Sequence, residues 1–144
     1  MSINEVIEFA NQNPASWLAT VDEGKPRVRG LLLWFADESG FYYHSGTLKA
    51  VLAQIEAHPY VEAAFYNPGA NPSEGRMLRV AGKVEFVDDS ELEKRLFKER
   101  PWLNDIRAAF PNQIIRIFKI ATGEAHFWDM TVNCREKEQP RFEF

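Results

Sequence analysis

The sequence predicts a small, mainly antiparallel β-barrel with peripheral helices, an α+β fold. Segments with a strand pattern follow one another as hairpin neighbours, and short helical segments are inserted between them. In the segment 78–86, apolar residues alternate with charged ones, which indicates a strand with one buried and one solvated face. Gly82, in the middle of this segment, predicts a bulge or sharp bend of the kind that barrel strands need.

The chain begins with a predicted helix and a predicted strand. Ser2 and Glu5 have the spacing of a capping box, and apolar residues at helical spacing follow until Pro14. A strand over about 16–21 then turns at Gly24 into the next strand.

The next hairpin sets the position of the candidate site. A strand over 26–33 is predicted to turn at 37–40 into a strand over 41–46. With the turn centred between Glu38 and Ser39, the numbers of paired residues sum to roughly 77. Two pairs are therefore expected to face each other across this hairpin: Trp34 with Tyr43, and Leu32 with Ser45.

The remaining elements continue the alternation of helices and strands. An apolar stripe at helical spacing predicts a helix that ends at Pro59, and a short strand follows over 61–66. A loop covers 67–75. Further on, the sequence predicts a helix that Asp88 opens with Glu91, a short helical segment over 103–110, and a last strand or strand pair over 113–130.

One group of residues predicts a phosphate site. Two arginines on one strand lie beside a helix start, where unpaired N–H groups and the macrodipole favour an anion. Hydroxyls, a glycine and a lysine add donors and allow close approach. A single Ser or Thr in this position is also an ordinary N-cap, so that alternative stays open. The residues are Arg27, Arg29, Ser45, Gly46, Thr47 and Lys49.

Composition limits the classes of function. The 144 residues are expected to form one domain, 1–144, with a sizeable core. A net charge of −4 argues against broad attraction to nucleic acid. No apolar run reaches membrane-spanning length and the start lacks a signal pattern, so a cytoplasmic protein without membrane partners is expected. Cys134 is the single cysteine, which excludes an internal disulfide.

Four segments in order, between about residues 15 and 130, carry a family resemblance. They are LATVDEGKPRVR at 18–29, FYYHSGTLK at 41–49, HPYVE at 58–62 and LRVAGK at 78–83. As a set they resemble the pyridoxamine 5′-phosphate oxidase-like, FMN-binding split-barrel family. The resemblance implies a six-stranded antiparallel split β-barrel and a homodimer that holds two FMN molecules in clefts between its subunits.

The resemblance also implies which residues form the flavin site. Arginine side chains would serve the phosphate, and the strand backbone would face the ring. The implied residues are Arg27, Val28, Arg29 and Gly30 on the first strand, Tyr43, His44 and Ser45 on the second, Thr47, Leu48 and Lys49 at the helix, and, from the partner subunit, Trp128 with the strand that begins at Arg76-Met77.

The implied activity is that of a flavin-dependent oxidoreductase, which passes a hydride or electrons between a nicotinamide donor and a small acceptor. The alternatives are a non-enzymatic flavin sensor or carrier, a relative that uses haem or F420, and an oligonucleotide-binding barrel, against which the net acidity argues. His44 is either a proton donor beside the flavin or a strand-end histidine bonded to backbone. His126 has no metal-ligand partners at suitable spacing, so no metal site is predicted.

Two features depart from the family pattern. Leu33 stands where oxidases of pyridoxamine phosphate carry a basic residue, and the segment 131–144 does not align with their longer C-terminal segment. The substrate is therefore left open.

Overall fold

The computed structural model describes residues 2–144, which contain an antiparallel eight-stranded sheet. The sheet order is β2-β1-β5-β6-β7-β4-β3, and β8 pairs with β7. The strands are β1 (Ala15–Asp22), β2 (Lys25–Leu32), β3 (Phe35–Asp37), β4 (Gly40–Gly46), β5 (Tyr60–Asn67), β6 (Arg76–Val87), β7 (Ile115–Asp129) and β8 (Phe142–Glu143). The helices are α1 (Ile3–Gln12), α2 (Ala50–Ala57), α3 (Ser90–Glu99) and α4 (Trp102–Ala109).

The sheet curls into a split barrel because its two ends are consecutive in the chain. β2 and β3 end the hydrogen-bonded path, yet only Leu33 and Trp34 separate them. The N–H of Leu33 bonds to the carbonyl of Pro14 at 2.8 Å, and that of Trp34 bonds to the carbonyl of Tyr42 at 2.9 Å. The chain thus crosses from one sheet edge to the other, and a cleft lies where no strand ladder among residues 2–144 joins β2 to β4.

Alternation along the central strands fills the barrel. Inward residues of β5, β6 and β7 are fully or almost fully buried, for example Phe65, Leu78 and Phe127. Helices α1 and α2 cover this core with Val6, Leu52 and other apolar residues. A second buried cluster lies outside the barrel between β4, β7 and the helices α3 and α4: Tyr42, Leu96, Leu103 and Ile117.

The predicted fold class is confirmed, with eight strands rather than six. The bend predicted at Gly82 is present, since the β6–β7 register shifts between Lys83 and Val84. The last segment forms one long strand, β7. None of the helices among residues 2–144 has the length and apolar character needed to cross a membrane.

The predicted pairing of the arginine strand is wrong. The register holds over β3, where Phe35 pairs with Tyr42 and Asp37 with Gly40. Leu32 pairs instead with Ala15 of β1, so it does not face Ser45 across a hairpin. The physical reason is that the Leu33 side chain turns into the core, where it is 1% exposed, and this ends β2 before the turn.

Two helix starts also differ from prediction. Ser2 is the N-cap of α1, but its side chain makes no cap bond. Asp89, not Asp88, caps α3, because its carboxylate accepts from the N–H groups of Glu91 and Leu92 at 2.9 and 3.1 Å. A cap one residue later satisfies the same orphan donors. Lys49 is the N-cap residue of α2 and makes no side-chain cap bond.

We predict that Gly123→Ala destabilises the barrel. Gly123 pairs with Gly82, and a Cβ at position 123 would lie 2.0 Å from the carbonyl oxygen of Ala81. Strands β6 and β7 must move apart to admit it, so the free energy of unfolding in urea should fall by about 1–3 kcal/mol.

Gly30→Ala is the matched control, because a Cβ there meets only the Trp17 ring at 3.5 Å. Its free energy of unfolding should stay within about 0.5 kcal/mol of the wild type. Equal urea midpoints for the two variants would contradict the close approach of β6 and β7.

Candidate functional site

A cavity of about 310 Å³ lies in the cleft between β2 and β4. The end of β2, the end of β4, the start of α2 and the helices α3 and α4 form its walls. Its lining residues are Gly30, Leu31, Leu32, His44, Ser45, Gly46, Lys49, Arg100, Trp102, Leu103, Ile106, Gln113 and Ile115.

His44 and Arg100 form the polar centre of the cavity. Nη1 of Arg100 lies 2.5 Å from Nε2 of His44, and Nη2 donates to the carbonyl of Leu33 at 2.9 Å. A guanidinium has only donors, so Nε2 accepts and the imidazole proton is on Nδ1. Burial, then the charge of Arg100, then that of Lys49 lower the pKa of His44 to about 4. The imidazole is therefore neutral at pH 7.

The positive charge of Arg100 forms no ion pair with a carboxylate among residues 2–144, and Glu99, which acts on it by charge, lies outside the cavity lining. Arg100 is 9% exposed, and both of its bonds are to uncharged groups. No Asp or Glu is among the described lining residues. The adjacent carboxylate of Glu99 is bonded to Arg95 and to the indole of Trp34. Because a buried cation is costly unless an anion pairs with it, the cavity favours an anionic ligand.

Ser45 adds a donor without a partner. Its side chain is 3% exposed, and among residues 2–144 its Oγ has no hydrogen-bond partner. Buried hydroxyls are almost always bonded, so this orphan oxygen fits a ligand in the cavity. Next to it, a Cβ on Gly46 would lie 2.0 Å from Oε1 of Gln113, so Gln113 packs directly on the Gly46 backbone. The cations Lys49 and Arg100 and the free hydroxyl of Ser45 together fit a phosphate or carboxylate group.

The structure brings part of the sequence-predicted site together. Gly30, His44, Ser45, Gly46 and Lys49 all line the cavity. Gly30 belongs to β2, and His44, Ser45 and Gly46 are the last three residues of β4. Lys49 immediately precedes α2. These five residues come close to one another because the link through Leu33 and Trp34 holds the ends of β2 and β4 on the two facing walls of one cleft.

The two predicted arginines lie outside the cavity. Arg29 donates to Oγ1 of Thr20 at 2.7 Å and to Oε1 of Gln54 at 2.5 Å, so it lies against α2. It has no carboxylate among these contacts, and burial lowers its pKa. Arg27 is half exposed and forms an ion pair with Asp22 at 3.5 Å. Arg27 and Arg29 therefore do not converge with Lys49 in the single chain.

The other predicted residues have structural contacts of their own. Tyr43 is fully buried, its hydroxyl lies 2.9 Å from Ser16 Oγ, and burial raises its pKa. Thr47 Oγ1 accepts from the N–H of Ile114 at 3.0 Å. The side chains of Val28 and Leu48 are about two-thirds exposed, at 67% and 64%.

Trp128 is remote from the cavity within one chain. The cavity touches β7 at Ile115, and Trp128 lies near the other end of that strand, on the order of 40 Å of extended chain away. Trp128 pairs with Met77 on the outer face of the sheet. A role for Trp128 at a ligand therefore requires a second subunit.

Sequence reasoning missed the wall that α3 and α4 supply. Arg100 ends α3 just before Pro101, where an arginine is ordinarily a solvated cation favoured by the helix dipole. Its contact with His44 spans 56 residues. No local pattern marks such a contact, although the apolar spacing of Leu103 and Ile106 does predict a helix that packs on something.

Comparison with known proteins identifies the family. The family model for pyridoxamine 5′-phosphate oxidase matches residues 3–129. The chain belongs to the pyridoxamine 5′-phosphate oxidase family. Among curated family members, the pyridoxine/pyridoxamine 5′-phosphate oxidase of Pseudomonas putida strain GB-1 is 31% identical over 131 residues, which are 85% of this chain and 58% of that enzyme. The chain spans between 39% and 58% of the length of the first curated relatives it matches.

Solved structures confirm the fold of the family. A NimC/NimA family protein from Clostridium acetobutylicum has a TM-score of 0.75 at 21% identity, covering 98% of this chain and 92% of its own. A pyridoxamine 5′-phosphate oxidase-related, FMN-binding protein from Nostoc punctiforme has a TM-score of 0.60 at 18% identity, covering 96% and 86% of the two chains. At these identities the likeness establishes the split barrel alone.

We predict that His44 stays neutral well into the acid range. The pKa of His44 is about 4 in the folded state and about 6.5 in the unfolded state. Between these two pH values the unfolded state therefore binds a proton at His44 that the folded state does not bind. Below pH 6.5 the stability of the protein should therefore fall as the pH approaches 4. In NMR spectra, the ring signals that His44→Gln removes should be constant from pH 8 to about 5.

Arg100→Gln tests the cause of this shift. Loss of the nearby cation should raise the pKa of His44, although burial keeps it below 6.5. A wild-type midpoint near 6.5, or a midpoint that does not change in Arg100→Gln, would disprove the contact between Arg100 and His44.

Proposed function

We propose that this chain binds FMN in the cleft between β2 and β4 and acts as an oxidoreductase, passing electrons or a hydride from a nicotinamide donor to a small acceptor. The observation that carries the proposal is the pair of cations, Lys49 and Arg100, in a cavity whose described lining has no carboxylate. Membership of the family and the resemblance to an FMN-binding protein of the same fold support it.

The phosphate of the cofactor would bind at the start of α2. Lys49 lies immediately before the first turn, where unpaired N–H groups favour an anion, and Ser45 supplies the free hydroxyl. Arg29 of β2, which donates to Gln54 of α2, is a further cation packed against the same helix. The charge of Arg29 would attract the phosphate at long range. Arg27 pairs with Asp22 at the surface and would not take part.

The ring would lie along the edge of β2, against the backbone of Gly30 and Leu31. FMN, when bound, supplies one- and two-electron redox chemistry. The chain orients the ring and keeps water from it, and Trp102 and Ile106 of α4 provide apolar cover on the opposite wall. His44 keeps its proton on Nδ1 while Arg100 occupies Nε2, so it acts as a fixed dipole rather than as an acid at neutral pH.

Arg100 would bind an acidic group of the second substrate. Two of its five N–H groups are bonded to His44 and Leu33, which leaves three donors. These donors lie in the same cavity as Lys49 but on the wall that α3 and α4 supply. A substrate with a carboxylate or phosphate would therefore be held between that wall and the ring.

We further propose that residues 1–144 form one domain that assembles as a homodimer, with Trp128 of the partner subunit beside the flavin. The outer face of β1, β2 and β5 exposes large apolar side chains, among them Trp17, Val28 and Tyr66. Exposed apolar patches of this kind favour association, and a second subunit would bring Trp128 within reach of the cleft.

We predict that Lys49→Met weakens FMN binding. Loss of a charge-assisted bond to phosphate costs about 1.5–3 kcal/mol, so the dissociation constant measured by flavin fluorescence quenching should rise at least tenfold. Lys94→Met is the control, since Lys94 is exposed and pairs only with Glu91. A colourless protein that does not bind added FMN would refute the flavin site. A Soret band in its absorption spectrum would indicate that the cofactor is haem instead of FMN.

We predict that Arg100→Gln impairs turnover more than flavin binding. With NADH or NADPH as the donor and a panel of quinone, nitro and carboxylate acceptors, kcat/KM for acidic acceptors should fall by about tenfold or more, because one cation is lost. Neutral acceptors should be unaffected. Bound FMN without turnover in any combination would favour the alternative, a flavin sensor or carrier.

A further inference from the structure

Three exposed apolar side chains form a row that begins in the cavity and continues along α4. Trp102, Ile106 and Phe110 are spaced four residues apart, so they lie along one side of the helix. We call these three residues the α4 stripe. Trp102 and Ile106 line the cavity, and Phe110 directly follows the last residue of the helix. The rise of an α-helix makes the stripe about 12 Å long.

The packing of α4 on the barrel does not require this stripe. Leu103 joins α4 to the buried cluster that contains Tyr42, Leu96 and Ile117, and it is 4% exposed. The stripe residues are 51%, 37% and 54% exposed and belong to neither buried cluster of residues 2–144. One exposed apolar residue is ordinary, whereas a row of them that leads out of a cavity is typical of a ligand surface.

Arg100 lies at the inner end of the stripe. Its guanidinium carbon is 6.0 Å from the centre of the Trp102 ring. Among residues 2–144 it forms no ion pair, and its bonds to His44 and Leu33 leave three of the five guanidinium N–H donors. The inner end of the stripe therefore suits an anionic group, and the rest of it suits an apolar body attached to that group.

The charge at this inner end matches a monoanion. The described lining of the cavity has two cations, and the proposed function assigns one of them, Lys49, to the phosphate of the cofactor. Arg100 then supplies a single positive charge, because the ring of His44 beside it is neutral. A carboxylate carries one negative charge and accepts two parallel N–H bonds from a guanidinium. A phosphate monoester carries up to two negative charges, so part of its charge would have no partner here.

We propose that the second ligand of the cleft is an aromatic monocarboxylic acid, whose carboxylate binds Arg100 and whose rings lie along the α4 stripe. Trp102 presents a flat indole to the cavity, and the flat flavin ring would lie on the facing wall. Flat rings stack on such surfaces, which favours an aromatic body over a saturated one. The choice of a monoanion and of a flat body rests on the proposed function. The contacts with Arg100 and Trp102 depend only on this chain.

Isothermal titration calorimetry of the full chain saturated with FMN tests this proposal with matched ligands. The dissociation constant of 2-naphthoate should be at least tenfold lower than that of 2-naphthamide, which has the same rings and no charge. It should be severalfold lower than that of decahydro-2-naphthoate, which has the same charge and no flat ring. Benzoate should bind about tenfold more weakly than 2-naphthoate, because it buries less apolar area against Ile106.

Two variants separate the roles of charge and ring. In Arg100→Gln the preference for 2-naphthoate over 2-naphthamide should be lost. Arg107→Gln is the matched control, since Arg107 is an exposed cation of α4 outside the cavity lining and bonds to Asn104. Its dissociation constants should stay within about twofold of the wild type. Trp102→Leu should abolish the preference for the aromatic over the saturated acid and keep the preference for acid over amide.

Failure of this proposal is distinguishable from failure of the flavin site. Equal affinities for 2-naphthoate and 2-naphthamide in the FMN-loaded wild type, or equal losses in Arg100→Gln and Arg107→Gln, would overturn the acid site and leave the flavin site standing. If the chain binds no FMN, the same titrations are made on the FMN-free protein. Binding of 2-naphthoate that depends on Arg100 and Trp102 would then support the acid site, and its absence would overturn it.

Discussion

The connection through Leu33 and Trp34 is the constraint on which the architecture depends. These two residues join the opposite ends of the sheet, so the strands must curl, and the curled sheet is closed by covalent chain instead of a ladder. Leu33 and Trp34 also contact the residues that form the opposite wall of the cleft. The carbonyl of Leu33 orients Arg100, and the indole of Trp34 bonds to Glu99 one residue earlier. Barrel closure and cavity geometry therefore have one origin.

Charge is distributed unevenly around this cleft. The chain is acidic overall, with a net charge of −4, yet the cavity lining has two cations and no described carboxylate. Carboxylates close to the cleft are bonded elsewhere, as Glu99 is to Arg95. Desolvation makes two unpaired cations costly in the free protein, so an anionic ligand in the cavity would reduce that cost. Burial, and after it the charges of Arg100 and Lys49, lower the pKa of His44 and keep its ring neutral.

Local pattern predicted much of the fold and only part of the candidate site. Alternation and helical spacing identified the strands and helices, and the hairpin register was correct over Phe35 to Asp37. It failed at Leu32, because burial of Leu33 is a tertiary effect that turn arithmetic does not contain. The sequence could place four cavity residues together because short connections join the elements that carry them, and these residues are Gly30, His44, Ser45 and Lys49. Arg100 could not be foreseen, since its position depends on how α3 packs, through Arg95 against Phe35 at 4.5 Å.

The helices that carry Arg100 and Trp102 are an excursion between two strands that already pair with each other. Val87 near the end of β6 pairs with Ile117 near the start of β7, so α3 and α4 together form the connection of a single hairpin. Such a connection can lengthen, shorten or change sequence without altering strand order or register. The β2 and β4 side of the cleft belongs to the barrel, whereas the opposite wall belongs to this one connection. Sequence changes confined to the α3–α4 connection would therefore reshape one wall of the cavity and leave the strands of the other wall in place.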